Sequence, residues 1–298
     1  MRISIDKIIE IFCKIDDFCK IFIPIWNKYL IVDKKKTRNR RSSMSESELM
    51  LTLILFQFSH YRCFKHFYLS EIQNDRYQLF TKTLSYQRFN ELSEKMMMPL
   101  QVFFNTIKSS SKGVAFIDST PIKVCDNKRI YQHQTFKNNA QREKTTMGWF
   151  YGFKLHLIIN HNAEIVNFNI TTGSVSDSKV VEKLSNKITG KLYGDKGYLS
   201  KNLKDALKNK GLQLITHVRK NMKPIIFSSW DKAMLAKRNI IESVFNRLKN
   251  TNHLVNSKAR SINGLIKNIL SNLISYALDP NKMNTGIQYT NNGTFIIQ

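Results

Sequence analysis

Three acidic residues stand out by their neighbours. Asp118 follows the apolar run Val114-Ala115-Phe116-Ile117, Asp195 follows Leu192-Tyr193-Gly194 and opens a turn with Lys196 and Gly197, and Glu242 lies in a stretch of helical periodicity. Singly, each has an ordinary explanation: a post-strand Asp turns or caps the chain, an Asp between glycines is a turn residue, and a helix Glu is solvated. Together they can do more. Carboxylates delivered by neighbouring strand ends and a packed helix can converge on hard divalent cations such as Mg²⁺, which takes a few carboxylates and keeps positions open for water and phosphate. Two such ions roughly 3.5–4 Å apart clamp the attacking and leaving oxygens of an in-line displacement at phosphorus.

Such convergence needs a sheet and a helix packed on it. Residues 114–117 read as a buried strand, with a second short strand at 122–124 beyond Pro121. Strands at 150–159 and 164–171 form a hairpin about His161-Asn162-Ala163, and a helix at 177–186 leads to a strand at 191–195. A helix at 201–208, a strand at 213–218 and a long helix at 231–249 follow. Strands first, then strands alternating with helices, predict an α/β fold: a mixed sheet flanked by helices. On the last helix, Arg238, Glu242 and Lys249 fall within about 40° of one another, beside an apolar arc of Ile240, Ile241, Val244, Phe245 and Leu248. That helix can pack one stripe on the sheet and turn a charged edge to the other two acids, with Arg238 pairing Glu242 at i,i+4. An ordinary amphipathic helix with a solvated edge fits the periodicity too. The basic stretch 126–148 reads as a strandless loop at the edge of the site.

Before residue 110 helix signals dominate. Ser45 and Glu48 form a capping box ahead of the apolar run 49–58, and Ser85 can cap a helix to Met98, before Pro99. Arg88, beside Tyr86 and Gln87 at the start of that helix, is a residue of groove-reading type. Between the first two helices lie Lys34, Lys35, Lys36, Arg38, Arg40 and Arg41, either a solvated linker or an arm that tracks phosphates. The predicted division is a helical N-terminal domain for DNA binding and assembly over 1–110, a catalytic domain over 111–278 and a flexible tail over 279–298.

Charge narrows the partners. Lys and Arg number 47 against 22 Asp and Glu, a net +25, which points to a polyanion. The longest apolar run is too short to span a bilayer, and residues 1–26 read as an amphipathic helix rather than a signal peptide. Cytosolic residence and nucleic acid, rather than a membrane, are the expectations. Cys13, Cys19, Cys63 and Cys125 show neither zinc-site spacing nor a C-x-x-C pair and read as buried free thiols.

Five segments, in this order, resemble the DDE transposases of bacterial insertion sequences: Phe116-Ile117-Asp118-Ser119-Thr120, Tyr151-Gly152-Phe153-Lys154-Leu155-His156, Gly173-Ser174-Val175-Ser176-Asp177, Tyr193-Gly194-Asp195-Lys196-Gly197-Tyr198 and Arg238-Asn239-Ile240-Ile241-Glu242. The similarity spans roughly residues 45–275 and is strongest to the insertion sequence 982 family. It implies a ribonuclease-H-like fold with Asp118, Asp195 and Glu242 as catalytic metal ligands, two Mg²⁺ or Mn²⁺ ions, and a dimer or larger assembly on paired transposon ends. Related families carry Tyr-x-x-Arg-x-x-x-Glu-x6-Lys on the last helix; Arg238, Glu242 and Lys249 match, but Leu235 stands at the tyrosine position. Candidate DNA contacts, on terminal inverted repeats or target, are the basic arm, Arg88, Lys154, His156, Lys196, Arg238 and Lys249, with Lys154 and His156 on one strand face. Asp177 reads as a helix cap. The expected reaction is attack of metal-activated water at the transposon end, then of the freed 3′-hydroxyl on a target phosphate. Rival readings are a nuclease that cleaves without joining, a non-catalytic DNA-binding regulator, and a phosphatase with an Asp nucleophile, the last weakened because no second Asp stands two residues beyond Asp118.

Overall fold

The computed structural model describes residues 3–32, 42–74, 79–111, 113–146, 148–219, 221–251, 254, 259–283, 285–290 and 294–297. The basic arm from Lys34 to Arg41 lies outside them. Helices lead the chain: α1 (Ile5–Val32), α2 (Glu46–Phe58), α3 (Phe64–Phe67), α4 (Tyr86–Ser93) and α5 (Met97–Ile107). Then come β1 (Val114–Cys125), β2 (Gln141–Thr145), β3 (Gly148–Asn160), β4 (Ile165–Thr172), α6 (Asp177–Leu184), β5 (Gly190–Gly194), α7 (Lys201–Asn209) and β6 (Leu212–Thr216). The last elements are α8 (Ser229–Lys237), α9 (Ile240–Asn246), α10 (Ile262–Leu278), β7 (Ile287–Tyr289) and β8 (Phe295–Ile297). Two compact units result, one of Met1–Ile107 with Leu248–Leu278, the other of Lys108–Arg247 with Asp279–Gln298. This differs from the predicted division: α10 joins the N-terminal helices, and the tail joins the sheet unit, where β7 and β8 pair antiparallel.

In the helical unit the local signals act as read. Glu48 N donates to Ser45 Oγ at 3.2 Å and Ser45 N to Glu48 Oε2 at 2.6 Å, closing the capping box of α2. Ser85 caps α4, but this helix stops at Ser93 and a 3₁₀ turn separates it from α5. Pro99 sits in the first turn of α5, where an amide hydrogen has no intrahelical acceptor and its absence costs little. α10 is buried nearly all round and packs on α2 and α5, its Leu and Ile residues interleaved with the buried polar residues Lys267, Ser271, Asn272 and Ser275. All four cysteines are free; only Cys19 is buried and Cys13 is exposed, against the expectation of four buried thiols. No helix among the described residues is long and apolar enough to cross a membrane.

The sheet unit is an α/β fold. β3 pairs antiparallel with β1 on one side and with β2 and β4 in succession on the other, while β1, β5 and β6 are parallel neighbours. Ala115, Ile117, Ile158, Leu192 and Leu214 point to one face and pack with Val181, Leu184, Leu203 and Leu207 of α6 and α7. Phe116 and Tyr193, one residue out of phase, point to the other, where α9 packs on β1 and α8 on β5 and β6. β1 runs unbroken through Asp118 and Pro121, where a strand end was expected. Beyond Phe116 it has β3 but not β5 as a neighbour, so the missing amide hydrogen of Pro121 can fall on the unpaired side. β2 lies inside the stretch read as loop: its sequence Gln-Arg-Glu-Lys-Thr has no apolar alternation because it is a mostly exposed edge strand. The Arg142 guanidinium stands 4.6 Å from the centre of the Trp149 ring, giving this edge a cation–π contact.

The inner face of β3 carries a buried polar network. Lys154, 6% exposed, donates to Glu143 at 2.9 Å, to the Val175 carbonyl at 3.1 Å and to Asp177 Oδ1 at 3.3 Å. His156, fully buried, lies 2.9 Å from Thr171 Oγ1. Burial drives its pKa down to about 4, with Lys154 pushing the same way and Asp177 opposing. Gly152 permits a close approach here: a Cβ on it would meet Ile122 O at 2.1 Å.

Two consequences are measurable. Gly152→Ala should lower stability by roughly 1–3 kcal/mol or more through overpacking against β1, read as a drop in the urea midpoint; an unchanged midpoint contradicts the packing. For His156 the folded pKa lies below the unfolded value, so the unfolded chain takes the proton first and stability falls as pH drops from about 6.5 to about 4, by up to roughly 3 kcal/mol. Melting curves of wild type and His156→Leu across that range should converge at low pH; parallel curves would count against a neutral buried imidazole.

Candidate active site

Two of the three acids are set by strand pairing. In the parallel β1–β5 ladder Phe116 is level with Tyr193, and carrying that register two residues further brings Asp118 beside Asp195 on the same face. The face is identified by Tyr193, whose hydroxyl donates to Asp231 Oδ1 of α8 at 2.8 Å, and by Lys191, which reaches the same oxygen at 2.8 Å. β5 ends at Gly194, where a Cβ would come within 3.0 Å of both Ile117 and Tyr198. Asp195 then starts the 3₁₀ turn Lys196–Tyr198 and is exposed, as is Lys196.

Glu242 comes from the helical segment that closes this face. Instead of one helix over 231–249, the chain makes α8, breaks at Arg238 and Asn239 with short-range bonds from Ile241 N to Arg238 O and Glu242 N to Asn239 O, and restarts as α9. A π-helical turn, Arg247–Thr251, follows. The break places Arg238 between two acids: Nη1 donates to Asp118 Oδ2 at 3.1 Å and Nη2 lies 3.6 Å from Glu242 Oε1. Arg238 and Asp118 are largely buried, whereas the Glu242 side chain is 62% exposed. The predicted i,i+4 pair is therefore present, but its closer carboxylate is Asp118.

Electrostatics single out Asp118, whose pKa is raised to about 6. Desolvation is the main cause, and the negative charges of Asp195 and Glu242 add to it; the Ser119 amide, 2.8 Å from Oδ1, and Arg238 pull the other way. The three acids therefore share one electrostatic neighbourhood. As placed, no three His, Cys, Asp or Glu side chains among the described residues form a group that could hold a metal ion. The donor set, three carboxylates, is nonetheless of the hard oxygen type that suits Mg²⁺ or Mn²⁺.

Tyr198 is a site neighbour that residue patterns did not single out. It is buried under Gly194, its phenol influenced by Asp118, Asp177 and Asp195, and its pKa lies well above the ordinary value, first through burial. Its hydroxyl has no hydrogen-bond partner among the described residues, although Ser119 lies close enough to influence it. The Tyr after Gly-Asp-Lys-Gly was the available signal.

The remaining sequence-predicted residues scatter. Lys154 and His156 share a strand face as read, but that face is the buried one, so they present nothing to a phosphate: both are corrected to structural residues. Asp177 makes no capping bond; Ser176 holds the cap position and the Asp177 carboxylate pairs with Lys154. Arg88 is exposed on α4 and paired with Glu91 at 2.8 Å. Lys249 lies in the π-helical turn and belongs to the helical unit.

A family model described as "Transposase DDE domain" matches residues 108–262, and with them all three acids and Arg238. None of the curated proteins matches the chain. Among solved structures, the chain is similar to the piggyBac transposase in the cryo-EM structure of its synaptic complex with hairpin DNA, at 15% identity and a TM-score of 0.35. That similarity covers 63% of this chain and 46% of the other, so the chain spans less than half of that transposase, and a likeness so distant adds no weight. Transposition, a form of DNA recombination, is the activity the matching domain carries. With more than half of its length matched by that domain, the sheet and the Glu242 helix included, the chain belongs to the DDE transposase family.

Proposed function

We propose that this transposase cuts the phosphodiester at the ends of a bacterial insertion sequence of the 982 family and joins the freed 3′-hydroxyl to target DNA, with Asp118, Asp195 and Glu242 as its catalytic carboxylates. One juxtaposition supports the reading: Arg238 donates to Asp118 and lies 3.6 Å from Glu242, while Asp118 and Asp195 each stand two residues beyond Phe116 and Tyr193, the last paired residues of the β1–β5 ladder. A mixed sheet with helices on both faces supports the ribonuclease-H-like form of the fold. Residues 1–107 and 248–278 then serve end binding and assembly, as a dimer or larger complex, in the cytosol beside the nucleoid.

Two Mg²⁺ or Mn²⁺ ions would be held by the three carboxylates, and when bound they supply Lewis-acid activation and charge stabilisation at phosphorus. The chain's own residues set the stage. The Ser119 amide orients the Asp118 carboxylate, and Arg238 neutralises Asp118 and Glu242 and must swing aside for both to ligate. Once displaced, its guanidinium is free to hold a phosphate in fork geometry, beside the exposed Lys196. The net charge of +25 supports duplex DNA, both terminal repeats and target, as the substrate. Arg88, Lys249 and the arm of Lys34, Lys35, Lys36, Arg38, Arg40 and Arg41 are the further phosphate contacts proposed.

The test is strand transfer from a pre-cut 3′-hydroxyl end, which a nuclease that only cleaves does not perform. Asp118→Asn should lose activity by on the order of a thousandfold or more while end binding in a mobility-shift assay changes little, since binding is mainly Lys and Arg on phosphate; substantial joining by that variant would sink the assignment. Metal binding has its own readout. Mn²⁺ at about 100 times its Kd should stabilise the full chain by about 2.7 kcal/mol, visible as a higher Tm, and Asp195→Asn should abolish the shift. An equal shift in wild type and variant removes Asp195 from the ligand set.

A further inference from the structure

The helical unit contains a cavity of about 560 Å³, far from small by the standard of ligand sites, which run from roughly 300 to 1,000 Å³. It opens between α2, α4 and α10, and its lining falls into three chemical zones. At the rim stand Arg62, Lys65 and Arg260, all exposed. Two half-buried rings, Phe64 and Tyr86, lie on one wall with centres 6.3 Å apart. The floor belongs to α10: Lys267, Asn268 and Ser271.

The floor has donors to spare. Lys267 is 7% exposed, yet its ammonium has only the Ser93 hydroxyl at 2.8 Å and the half-exposed Glu94 carboxylate at 4.0 Å as partners among the described residues. Burial pulls its pKa down, as it must for a cation so poorly compensated. Asn268 accepts a bond from Gln57 at 3.0 Å through Oδ1, but among the described residues its Nδ2 has no partner, nor does Ser271 Oγ, and both atoms are shielded from solvent. Buried donors without acceptors are costly and rare, and two of them, beside an ammonium that has donors left over, along an open cavity define a shape for what should meet them. The lining carries four cations, Arg62, Lys65, Arg260 and Lys267, against the single carboxylate of Glu94.

A ligand that satisfies all three zones is flat, edged with carbonyl and ring-nitrogen acceptors, and anionic at one end. We propose that this cavity binds a single nucleotide unit, the base entering past Phe64 and Tyr86 to accept from Lys267, Asn268 and Ser271, and the phosphate held at the rim by Arg62, Lys65 and Arg260. Lys donors pair well with the O6 and N7 of guanine, so guanine is the favoured base. The nucleotide can be free or an unpaired nucleotide of DNA; the site stands on its own chemistry, whether or not the carboxylates of the other unit cut DNA.

The full chain is titrated with dGMP, with inorganic phosphate, and with two short duplexes, one fully paired and one with a single bulged guanine. The expected result is saturable dGMP binding at least about tenfold tighter than phosphate, the equivalent of one good charge-assisted contact set. Arg260→Ala, an exposed position that leaves Tm unchanged, and Lys267→Met should each weaken it about tenfold. Tighter binding of the bulged duplex than of the paired one, sensitive to the same variants, assigns the site to DNA; binding of dGMP without that preference assigns it to a free nucleotide. The proposal is overturned if neither dGMP nor the bulge is bound, if phosphate binds as well as dGMP, or if Arg260→Ala leaves binding untouched. Because the readout is binding, inactivity of the carboxylate site does not bear on it.

Discussion

The site depends on where β1 meets β5. Only three residue pairs join these strands, Val114 with Lys191, Ala115 with Leu192 and Phe116 with Tyr193, yet they decide which side chains become neighbours. Because side chains alternate along a strand, a slip of one residue would turn one of the two aspartates to the α6 and α7 face. The register is held by burial on both sides of the ladder. Ala115, Ile117 and Leu192 are locked under α6 and α7, while Phe116 and Tyr193 meet on the far face as tilted rings with centres 5.9 Å apart. The core is thus what aims the acids.

Around that ladder the molecule manages charge in two different ways. On the α8 and α9 face the acids crowd together, and the rise that burial, with a smaller push from Asp195 and Glu242, imposes on the pKa of Asp118 is opposed by the Ser119 amide and by one guanidinium at the helix break. On the opposite face of β3, Lys154 is enclosed by two carboxylates and a carbonyl, an arrangement in which a buried ammonium is fully satisfied and therefore rigid. The first arrangement leaves its acids open to cations and its arginine free to change partners. The second leaves nothing to exchange. A basic residue at the edge of a functional site and one inside its scaffold can therefore look alike in sequence and do opposite things.

Much was legible in local patterns, and the failures have local reasons. The capping box at Ser45, the β3–β4 hairpin and the strands before Asp118 and Asp195 were readable because each is decided by residues within a few positions of one another. β2 was missed because a solvent-exposed edge strand has no apolar alternation to betray it. The helix over 231–249 was read as continuous because its apolar arc is continuous; nothing in periodicity announces the break at Arg238. Lys154 and His156 were read as possible DNA contacts because polar residues opposite an apolar strand face normally meet water, and here that face is covered by α6. The helical unit's share of the late chain was also hidden: the Leu and Ile residues of α10 mark burial but not in which core.

From its residues alone this chain marks three candidate acids, their order and the strand or helix type of the segments around them, because residue type, capping and periodicity act over a few residues and survive without tertiary context. Which acids share a neighbourhood, which cation stands between them and which basic residues face solvent were settled only by folding. Those outcomes rest on contacts between segments up to 120 positions apart, as from Asp118 to Arg238, and no local pattern encodes a distance across the core.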